Sequence, residues 1–386
     1  MTDTIPLTVL TGFLGSGKTT LLKRLLSDPQ MAGTGVIINE FGEVGIDDAL
    51  VEKLDDDAVL LPSGCVCCEV RGDLIESLER MHTRSLWGDI PKISRVVLET
   101  TGLADPAPIV HTVMTEERLF RIYQLDGVVT TVDAQHGLAE LDQQFEPAKQ
   151  IAVADRIVLT KVDLADPATI ARLEGRIRAL NRSAPIRKAV LGDVPAHELI
   201  GLGAHEPALV GTDPERWLAA GSFGSAAGRD HHAAEEHACG PGCTHDHDHA
   251  GHHHHHDAHG AAGHNHDDDC GDDCAHPDHH HGHLHGIGSF CLSFAEPLDG
   301  PQMSNALSLL AQLYGPKLLR VKGILNVKDQ PRPFVVHGVQ HIFYPPDTLK
   351  SWKGDRRQSR VVFITRDLPE ETIRRHFKPF VGEALP

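Results

Sequence analysis

The chain carries a glycine-rich loop, GFLGSGKT, at residues 12–19, directly after an apolar run that predicts a β-strand. The loop matches the pattern G-x-x-x-x-G-K-S/T, in which backbone N–H groups cradle phosphates at the start of a helix. In this pattern the lysine reaches the β and γ phosphate oxygens, and the hydroxyl residue ligates Mg2+. We therefore predict that Lys18 and Thr19 act on a nucleotide and its Mg2+. The other nucleotide-binding residues predicted in the loop are Gly12, Gly15, Ser16, Gly17 and Thr20.

A second nucleotide motif is ETTG at residues 99–102, which ends another apolar run. P-loop proteins place an acidic residue at this point, where it holds Mg2+ directly or through water. We predict this role for Glu99, which then forms the catalytic set together with Lys18 and Thr19. The N–H of Gly102 would meet the γ-phosphate.

A base-recognition element is predicted at TKVD, residues 160–163, which follows the apolar run RIVL. The carboxylate of Asp163 could accept both hydrogens from the N1 and N2 edge of guanine, and Lys161 could cover the face of the ring. Most GTPases have asparagine where this chain has Thr160, but the motif still favours guanine over adenine. An ordinary surface turn is the alternative interpretation, because lysine and aspartate are common after strands.

Three thiols fall within four residues in GCVCC, at residues 64–68. Cys65 can face the same point as Cys67 or Cys68, which gives two or three sulfur ligands and leaves room for an outside donor. Such a set suits Zn2+, Co2+ or Cu+. Buried small hydrophobic side chains are one alternative. A redox pair is another, although the context typical of thioredoxin-like C-x-x-C motifs is missing.

The segment NEFGEVGID, at residues 39–47, occupies the part of the chain where a nucleotide-sensing switch is expected. Its carboxylates Glu40 and Asp47 could contact Mg2+ or a cargo metal. Either carboxylate can equally be a solvated loop charge. We include Glu40 among the predicted metal ligands.

Histidine dominates the tract from Arg229 to Gly286, which holds 20 of the 28 histidines, four of the eight cysteines and 12 acidic residues against one arginine. Imidazoles and paired thiols at this density give many overlapping four-ligand sets for Zn2+. An expression tag is disfavoured by the internal position and by the interspersed Cys and Asp. Incidental histidines in a loop are the other alternative. The predicted auxiliary ligands are Cys239, Cys243, His252, His253, His254, His255, His256, Cys270 and Cys274.

Composition excludes several functional classes. A net charge of -18 would repel a phosphate backbone, so nucleic acid is not an expected partner. No apolar run approaches a membrane span, and the first one, Ile5 to Leu10, is too short for a signal peptide. We therefore expect a cytoplasmic protein, in which eight cysteines act as thiolate ligands and do not form a disulfide framework.

The elements that must position the nucleotide motifs alternate along the chain. Apolar β-branched runs separated by helix-length segments, such as Thr19 to Leu26 and Ile170 to Leu180, predict βαβ units. Runs that are apolar on both faces are typical of a mostly parallel sheet. We therefore predict an α/β fold, with a P-loop GTPase domain at residues 1–212. The seven runs are PLTVLTG, GVIINEFG, AVLLPSG, SRVVLETTG, DGVVTTVDA, DRIVLTKVD and APIRKAV.

Two further regions are predicted beyond this domain. Residues 213–287 form a linker with the metal-binding tract, which should be disordered without ligand because apolar side chains are almost absent. Residues 288–386 form a small α+β domain with antiparallel strands SFCLSF, LLRVKGILNV, PFVVHGVQHIFY and SRVVFIT. Its predicted helices cover Gln302 to Tyr314 and the neighbourhood of Glu370 to Phe377. We assign only packing to Cys291, His337 and His341.

Together these motifs resemble the CobW-type metallochaperone GTPases, relatives of the nickel-handling UreG and HypB proteins. The resemblance covers nearly the whole chain and rests on GFLGSGKTT, NEFGE, GCVCC, ETTGLADP, TKVD and the C-terminal region, in family order. It implies GTP hydrolysis, with Lys18 and Thr19 on the nucleotide and Mg2+. It also implies a cargo site at Cys65, Cys67 and Cys68 that is coupled to the GTP state. The implied partner is a client metalloenzyme that receives the ion, with zinc the leading cargo, and a homodimer is compatible with these features.

Three other functions fit parts of the sequence. The cargo could be cobalt for cobalamin synthesis, or iron or cobalt for a nitrile hydratase, because Co2+ accepts the same donors as Zn2+. A passive zinc-storage protein would bind metal equally well in GTP and in GDP. A nucleotide kinase or an ATPase with a histidine-rich appendage is disfavoured by GCVCC, which lies between the two phosphate motifs.

Overall fold

The structure of the protein, a computed structural model, describes residues 4–38, 59–62, 70–202, 284–344, 346–349, 351–352 and 357–385. Three predicted features lie outside these ranges: NEFGEVGID with Glu40 and Asp47, GCVCC with its three cysteines, and the tract from Arg229 to His283 with the auxiliary ligands. The domain boundary predicted at residue 212 also lies outside them.

The first sheet has seven strands in the described residues, in the order β3–β2–β4–β1–β5–β6–β7, and every pairing is parallel. All seven apolar runs form strands, so the prediction of a mostly parallel α/β sheet is confirmed. The strand order reverses beside β1, and open α/β sheets bind ligands at the carboxyl ends of strands near such a point. The strands are β1 Ile5–Gly12, β2 Thr34–Ile38, β3 Val59–Pro62, β4 Arg95–Glu99, β5 Tyr123–Asp133, β6 Arg156–Thr160 and β7 Ile186–Lys188.

Helices connect these strands, and the two predicted ones are present. The helix predicted to start at Ile170 starts earlier because Asp166 caps it, its Oδ1 accepting the N–H groups of Ala168 and Thr169 at 2.9 Å each. In the part of the chain that the structure describes, no helix is both long and apolar enough to span a bilayer. The helices are α1 Lys18–Leu26, α2 Val70–Trp87, α3 Ala107–Thr115, α4 Glu117–Phe120, α5 Gly137–Gln143, α6 Glu146–Val153 and α7 Pro167–Leu180.

The second sheet is antiparallel, as predicted, with β11–β10–β9–β13–β8 in order and β12 paired to β10. The run PFVVHGVQHIFY, predicted as one strand, is instead a hairpin whose two-residue turn is Gln340 and His341. Helices α8 Gly300–Tyr314 and α9 Glu370–Val381 pack on this sheet around their own apolar core. The strands are β8 Ile287–Phe294, β9 Leu318–Leu325, β10 Phe334–Val339, β11 Ile342–Phe343, β12 Asp347–Thr348 and β13 Ser359–Arg366.

One hydrophobic core joins the two sheets. Leu319, Tyr344 and Ile364 of the second sheet region belong to the same cluster of buried side chains as Leu7 and Ile157 of the first sheet. Burial of apolar surface is the main favourable term in folding, so this shared core holds the sheets together. Helices α3, α6 and α7 lie between the two sheets and contact strands of the second sheet.

A buried ion cluster crosses the same boundary. The side chains of Asp155, Arg320 and Lys322 are at most 5% exposed, and both cations contact the Asp155 carboxylate, with the Lys322 Nζ at 2.8 Å. The N–H of Val128 donates to its other oxygen at 3.0 Å. Burial alone would raise the pKa of the Asp155 carboxyl, but the charges of Arg320 and Lys322 hold that pKa well below its usual range.

Candidate nucleotide site

The glycine-rich loop follows β1 in a conformation that requires glycine. The φ angles of Gly12 and Gly17 are 146° and 89°, in the region that residues with a Cβ rarely adopt. A Cβ at Gly12 would also lie 2.5 Å from the backbone oxygen of Thr131 on β5. Because β1 and β5 are neighbours, this close approach fixes the loop at the carboxyl edge of the sheet.

Lys18 and Thr19 begin α1 and point into the site predicted from the sequence. The Lys18 Nζ donates to the backbone oxygens of Gly12 and Phe13 at 3.0 and 3.1 Å, which keeps the ammonium inside the loop. The Thr19 hydroxyl donates to the Glu99 Oε1 at 2.8 Å. Glu99 is buried at the end of β4. A hydroxyl and a carboxylate oxygen are hard ligands of the kind that Mg2+ takes, so the pair fits the predicted Mg2+ position.

The ETTG loop packs against the glycine-rich loop. A Cβ at Gly102 would lie 2.7 Å from the backbone nitrogen of Leu14, so only glycine permits this contact. On the other side, the buried Gln150 of α6 donates from Nε2 to the backbone oxygens of Gly102 and Ala104, both at 3.1 Å. Gln150 therefore holds the loop in place. No sequence motif marks Gln150, whose only signal is an amide inside the apolar stretch AKQIAV.

The TKVD motif also reaches the glycine-rich loop. The Thr160 hydroxyl donates to the backbone oxygen of Ser16 at 2.7 Å, and a Cβ placed on Gly17 would meet the Thr160 side chain at 3.5 Å. The short hydroxyl thus ties the end of β6 to the loop. Asp163 is exposed three residues further on, where its carboxylate can meet a base.

Asp133, which no sequence motif marks, positions Lys161. The Lys161 Nζ donates to the Asp133 Oδ2 at 2.7 Å, and Lys161 has a left-handed backbone with φ of 55°. Burial alone would raise the pKa of Asp133, but hydrogen bonds from Lys161, from the N–H of Gln135 and from His136 lower it. The carboxylate therefore stays ionised and fixes the lysine at the place predicted to cover the base.

The predicted ligands of the cargo metal and the auxiliary ligands are not part of this described site. Glu40, the three cysteines of GCVCC and the auxiliary ligands all lie outside the described residues. Among the residues that are described, no group of three or more His, Cys, Asp and Glu side chains is placed to hold an ion. Cys291 is half-buried on β8, where burial raises the pKa of its thiol, as expected for a packing residue.

Comparison with known proteins agrees with this geometry. Residues 6–188 match the CobW/HypB/UreG nucleotide-binding domain, and residues 287–381 match the cobalamin synthesis protein cobW C-terminal domain. The zinc chaperone YjiA of Escherichia coli is 31% identical over 375 residues, which cover 97% of this chain and 98% of that relative. Zinc-regulated GTPase metalloprotein activator 1 of Saccharomyces cerevisiae is 32% identical over 226 residues, which cover 52% of each protein.

A solved structure gives the same result. The crystal structure of zinc-bound YjiA GTPase from Escherichia coli matches with a TM-score of 0.62 and 28% identity, over 98% of this chain and 99% of that chain. The resemblance inferred from the motifs is thereby confirmed. The chain belongs to the CobW/HypB/UreG family of P-loop GTPases and carries the CobW C-terminal domain.

Proposed function

We propose that the protein is a GTP-dependent zinc metallochaperone, which binds its cargo at Cys65, Cys67 and Cys68 and transfers it to client metalloproteins on GTP hydrolysis. Relatives named as zinc chaperone and as metalloprotein activator support both the cargo and the kind of partner. The thiolate-rich motif supports zinc chemically, because sulfur ligands suit Zn2+. GTP and Mg2+ are the cofactors of the proposed cycle.

The observation that carries the proposal is the register of three strands at one edge of the sheet. Glu99 at the end of β4 pairs with Ile38 at the end of β2, which pairs in turn with Pro62 at the end of β3. The chain continues from Ile38 into NEFGE and from Pro62 into GCVCC. Strands β2 and β3 therefore end on the side of the sheet where Thr19 and Glu99 meet, which supports a short path between phosphate and cargo in the proposed cycle.

Each residue of the nucleotide site has a defined role in this mechanism. Bound Mg2+ would offset the phosphate charge during attack by water. Thr19 and Glu99 would hold it, and Lys18 would exchange its two carbonyl contacts in the loop for phosphate oxygens. The N–H of Gly102, held against Leu14, would contact the γ-phosphate. Loss of that contact after hydrolysis would release the ETTG loop and lower the affinity for cargo.

A chelator-competition titration with Zn2+ tests the proposal. The protein should bind one ion more tightly in GTP than in GDP, and replacing Cys65, Cys67 and Cys68 by serine should remove this ion, because a hydroxyl is a poor substitute for a thiolate. The matched control is Cys291→Ser, on β8, which should behave as the parent does. Equal Zn2+ affinity in GTP and in GDP would indicate a passive storage protein. Tighter binding of Co2+ than of Zn2+ would indicate that cobalt is the cargo.

A further inference from the structure

A helix that carries no nucleotide motif holds the loop with the ETTG sequence. Gln150 of α6 is buried, and its Nε2 donates to the backbone oxygens of Gly102 and Ala104 at 3.1 Å each. Only the NH2 end of an amide can donate to two carbonyl oxygens, so these contacts fix the orientation of the side chain. Both amide hydrogens of Gln150 are therefore used to hold the loop.

The residue before Gln150 holds the same loop at its other end. The Lys149 Nζ forms an ion pair with Asp105, whose Oδ1 accepts the N–H of Ala107 at 3.0 Å at the start of α3. Leu103 lies between the two carbonyls that Gln150 contacts and is 57% exposed, so burial of its side chain does not fix the turn. Polar contacts from α6 therefore set the position of the loop.

Helix α6 is itself anchored at three points. At its start, the guanidinium of Arg366 lies 4.2 Å from the ring centre of Phe145. Just after its end, Asp155 belongs to the buried ion cluster that crosses to β9. In the middle, the backbone oxygen of Gln150 accepts from the Thr130 Oγ1 of β5 at 2.9 Å. Because α6 is anchored in this way, the Gln150 amide gives the ETTG loop a fixed reference position.

Stability alone does not account for an amide at this place in α6. The Gln150 Oε1 is buried and has no hydrogen-bond partner among the residues that the structure describes. A buried oxygen without a partner is destabilising, and an apolar side chain of similar size, such as methionine, would avoid that penalty. The amide is explained instead by the position that it gives to the loop.

We propose that Gln150 is a positioning residue for GTP hydrolysis, which holds Gly102 where its N–H contacts the γ-phosphate and so makes the site distinguish GTP from GDP. On its other side Gly102 lies against the backbone of Leu14, so it is held from two directions. GDP lacks the γ-phosphate and gains nothing from this position. The inference rests on the γ-phosphate contact of the proposed function and is independent of the metal site.

Gln150→Met keeps the size of the side chain and removes both donors. We expect kcat for GTP to fall about 10- to 100-fold, because a small misplacement of one group at the reacting phosphate has an effect of this size. Affinity for a non-hydrolysable GTP analogue should fall about 3- to 10-fold, while GDP affinity stays close to that of the parent. Phosphate release and fluorescence titration, both with Mg2+ and without added zinc, measure these quantities.

A second variant and a matched control accompany this test. Lys149→Met loosens the same loop through Asp105 at a partly exposed position, so it should fold normally and lower kcat about 2- to 5-fold. Asn181→Leu is the control, because Asn181 is also a buried amide but donates to the backbone oxygens of Ile151 and Ala154 at the end of α6, at 2.8 and 3.0 Å. It should lose stability without changing the ratio of GTP-analogue affinity to GDP affinity.

Two results would overturn the role of Gln150. One is a parent-like kcat and analogue affinity in Gln150→Met, and the other is an equal fall in the affinities for the analogue and for GDP. Gly102→Ala separates this inference from the proposed phosphate contact, because a Cβ there would meet the backbone of Leu14. If Gly102→Ala lowers hydrolysis and Gln150→Met does not, the γ-phosphate contact stands and the role of Gln150 fails.

Discussion

Thr160 occupies the position where most GTPases have asparagine, yet its hydroxyl makes the contact that ties β6 to the glycine-rich loop. Thr160→Val keeps the shape and removes the donor, so the Ser16 carbonyl loses its partner. We expect nucleotide affinity to fall by about 3- to 10-fold, the size of one net hydrogen bond. GDP binding measured by fluorescence tests this, with Thr160→Ser as the control that keeps the hydroxyl. Parent-like affinity in the valine variant would contradict it.

Asp163 is predicted to select guanine through a carboxylate that accepts two hydrogen bonds. In Asp163→Asn the new amide can donate to the C2 oxygen of xanthine, so preference should shift toward the xanthine nucleotide while GTP use falls roughly 100-fold or more. The measurement is kcat/KM with both nucleotides. Asp166→Asn is a matched control, because Asp166 lies in the same loop but caps α7. Unchanged selectivity in Asp163→Asn would disprove the assignment.

The sequence pattern identified the nucleotide-site residues that belong to motifs with glycines or fixed spacing. It did not identify the residues that hold those motifs in place. Lys18 and Thr19 are neighbours in one motif, and the structure brings Glu99 to Thr19 through strand register. Gln150 and Asp133 have no such local signal. Their contacts depend on which strands and helices are adjacent, and a single sequence does not specify this order.

A buried ion cluster joins Asp155, the residue before β6, to Arg320 and Lys322 of β9. Asp155→Ala would leave Arg320 and Lys322 buried without their carboxylate, which should cost about 3 to 5 kcal/mol in the free energy of unfolding. Asp142→Ala is the control, because its pair with Arg176 lies at the surface and should cost about 0 to 1 kcal/mol. Urea unfolding at pH 7 measures both. Equal losses in the two variants would contradict the prediction.

The same cluster should make stability sensitive to acid. The pKa of Asp155 is lower in the folded than in the unfolded protein, where it is about 3.9. The stabilisation is therefore complete above about pH 4 and is lost as the pH falls toward the folded-state value. The difference in unfolding free energy between the parent and Asp155→Ala should accordingly shrink in acid. A difference that does not change below pH 4 would show that the carboxylate is not the cause.

At the scale of elements, apolar β-branched runs predicted all seven parallel strands, and β1, β2, β4, β5 and β6 are buried along most of their length on both faces. The β10–β11 hairpin was missed for a physical reason. Two-residue turns are usually marked by Asn-Gly or Asp-Gly, which adopt positive φ at little cost. Here the turn is Gln340 and His341, so the run appears as one continuous strand.

The C-terminal sheet has its own core and also contributes Leu319, Tyr344 and Ile364 to a cluster shared with the first region. A sequence pattern shows that a strand has an apolar face but does not show which other element that face meets, so this shared packing could not be predicted. The ion cluster of Asp155, Arg320 and Lys322 lies on the same boundary. The C-terminal region is thus joined to the nucleotide-binding region by apolar and ionic contacts.

At the scale of the whole molecule, we expect the total number of bound Zn2+ ions and the one nucleotide-dependent Zn2+ ion to depend on different parts of the chain. Deleting residues 229–283 removes most of the histidines but spares His285, whose Nε2 contacts the backbone oxygen of Leu141 at 2.8 Å, and Gly286, whose backbone oxygen accepts from Asp367. The deleted segment has almost no apolar side chains to contribute to a core. The number of bound Zn2+ ions should therefore fall by several, while GTP hydrolysis and one tight ion remain.

The serine variant of Cys65, Cys67 and Cys68 should show the opposite pattern, because the tract keeps its imidazoles and thiols while the predicted cargo site loses its thiolates. Chelator competition in GTP and in GDP, together with phosphate release, measures both proteins side by side. If the deletion abolishes the nucleotide-dependent ion and the serine variant retains it, the GTP state controls the histidine tract. GCVCC would then not be the cargo site.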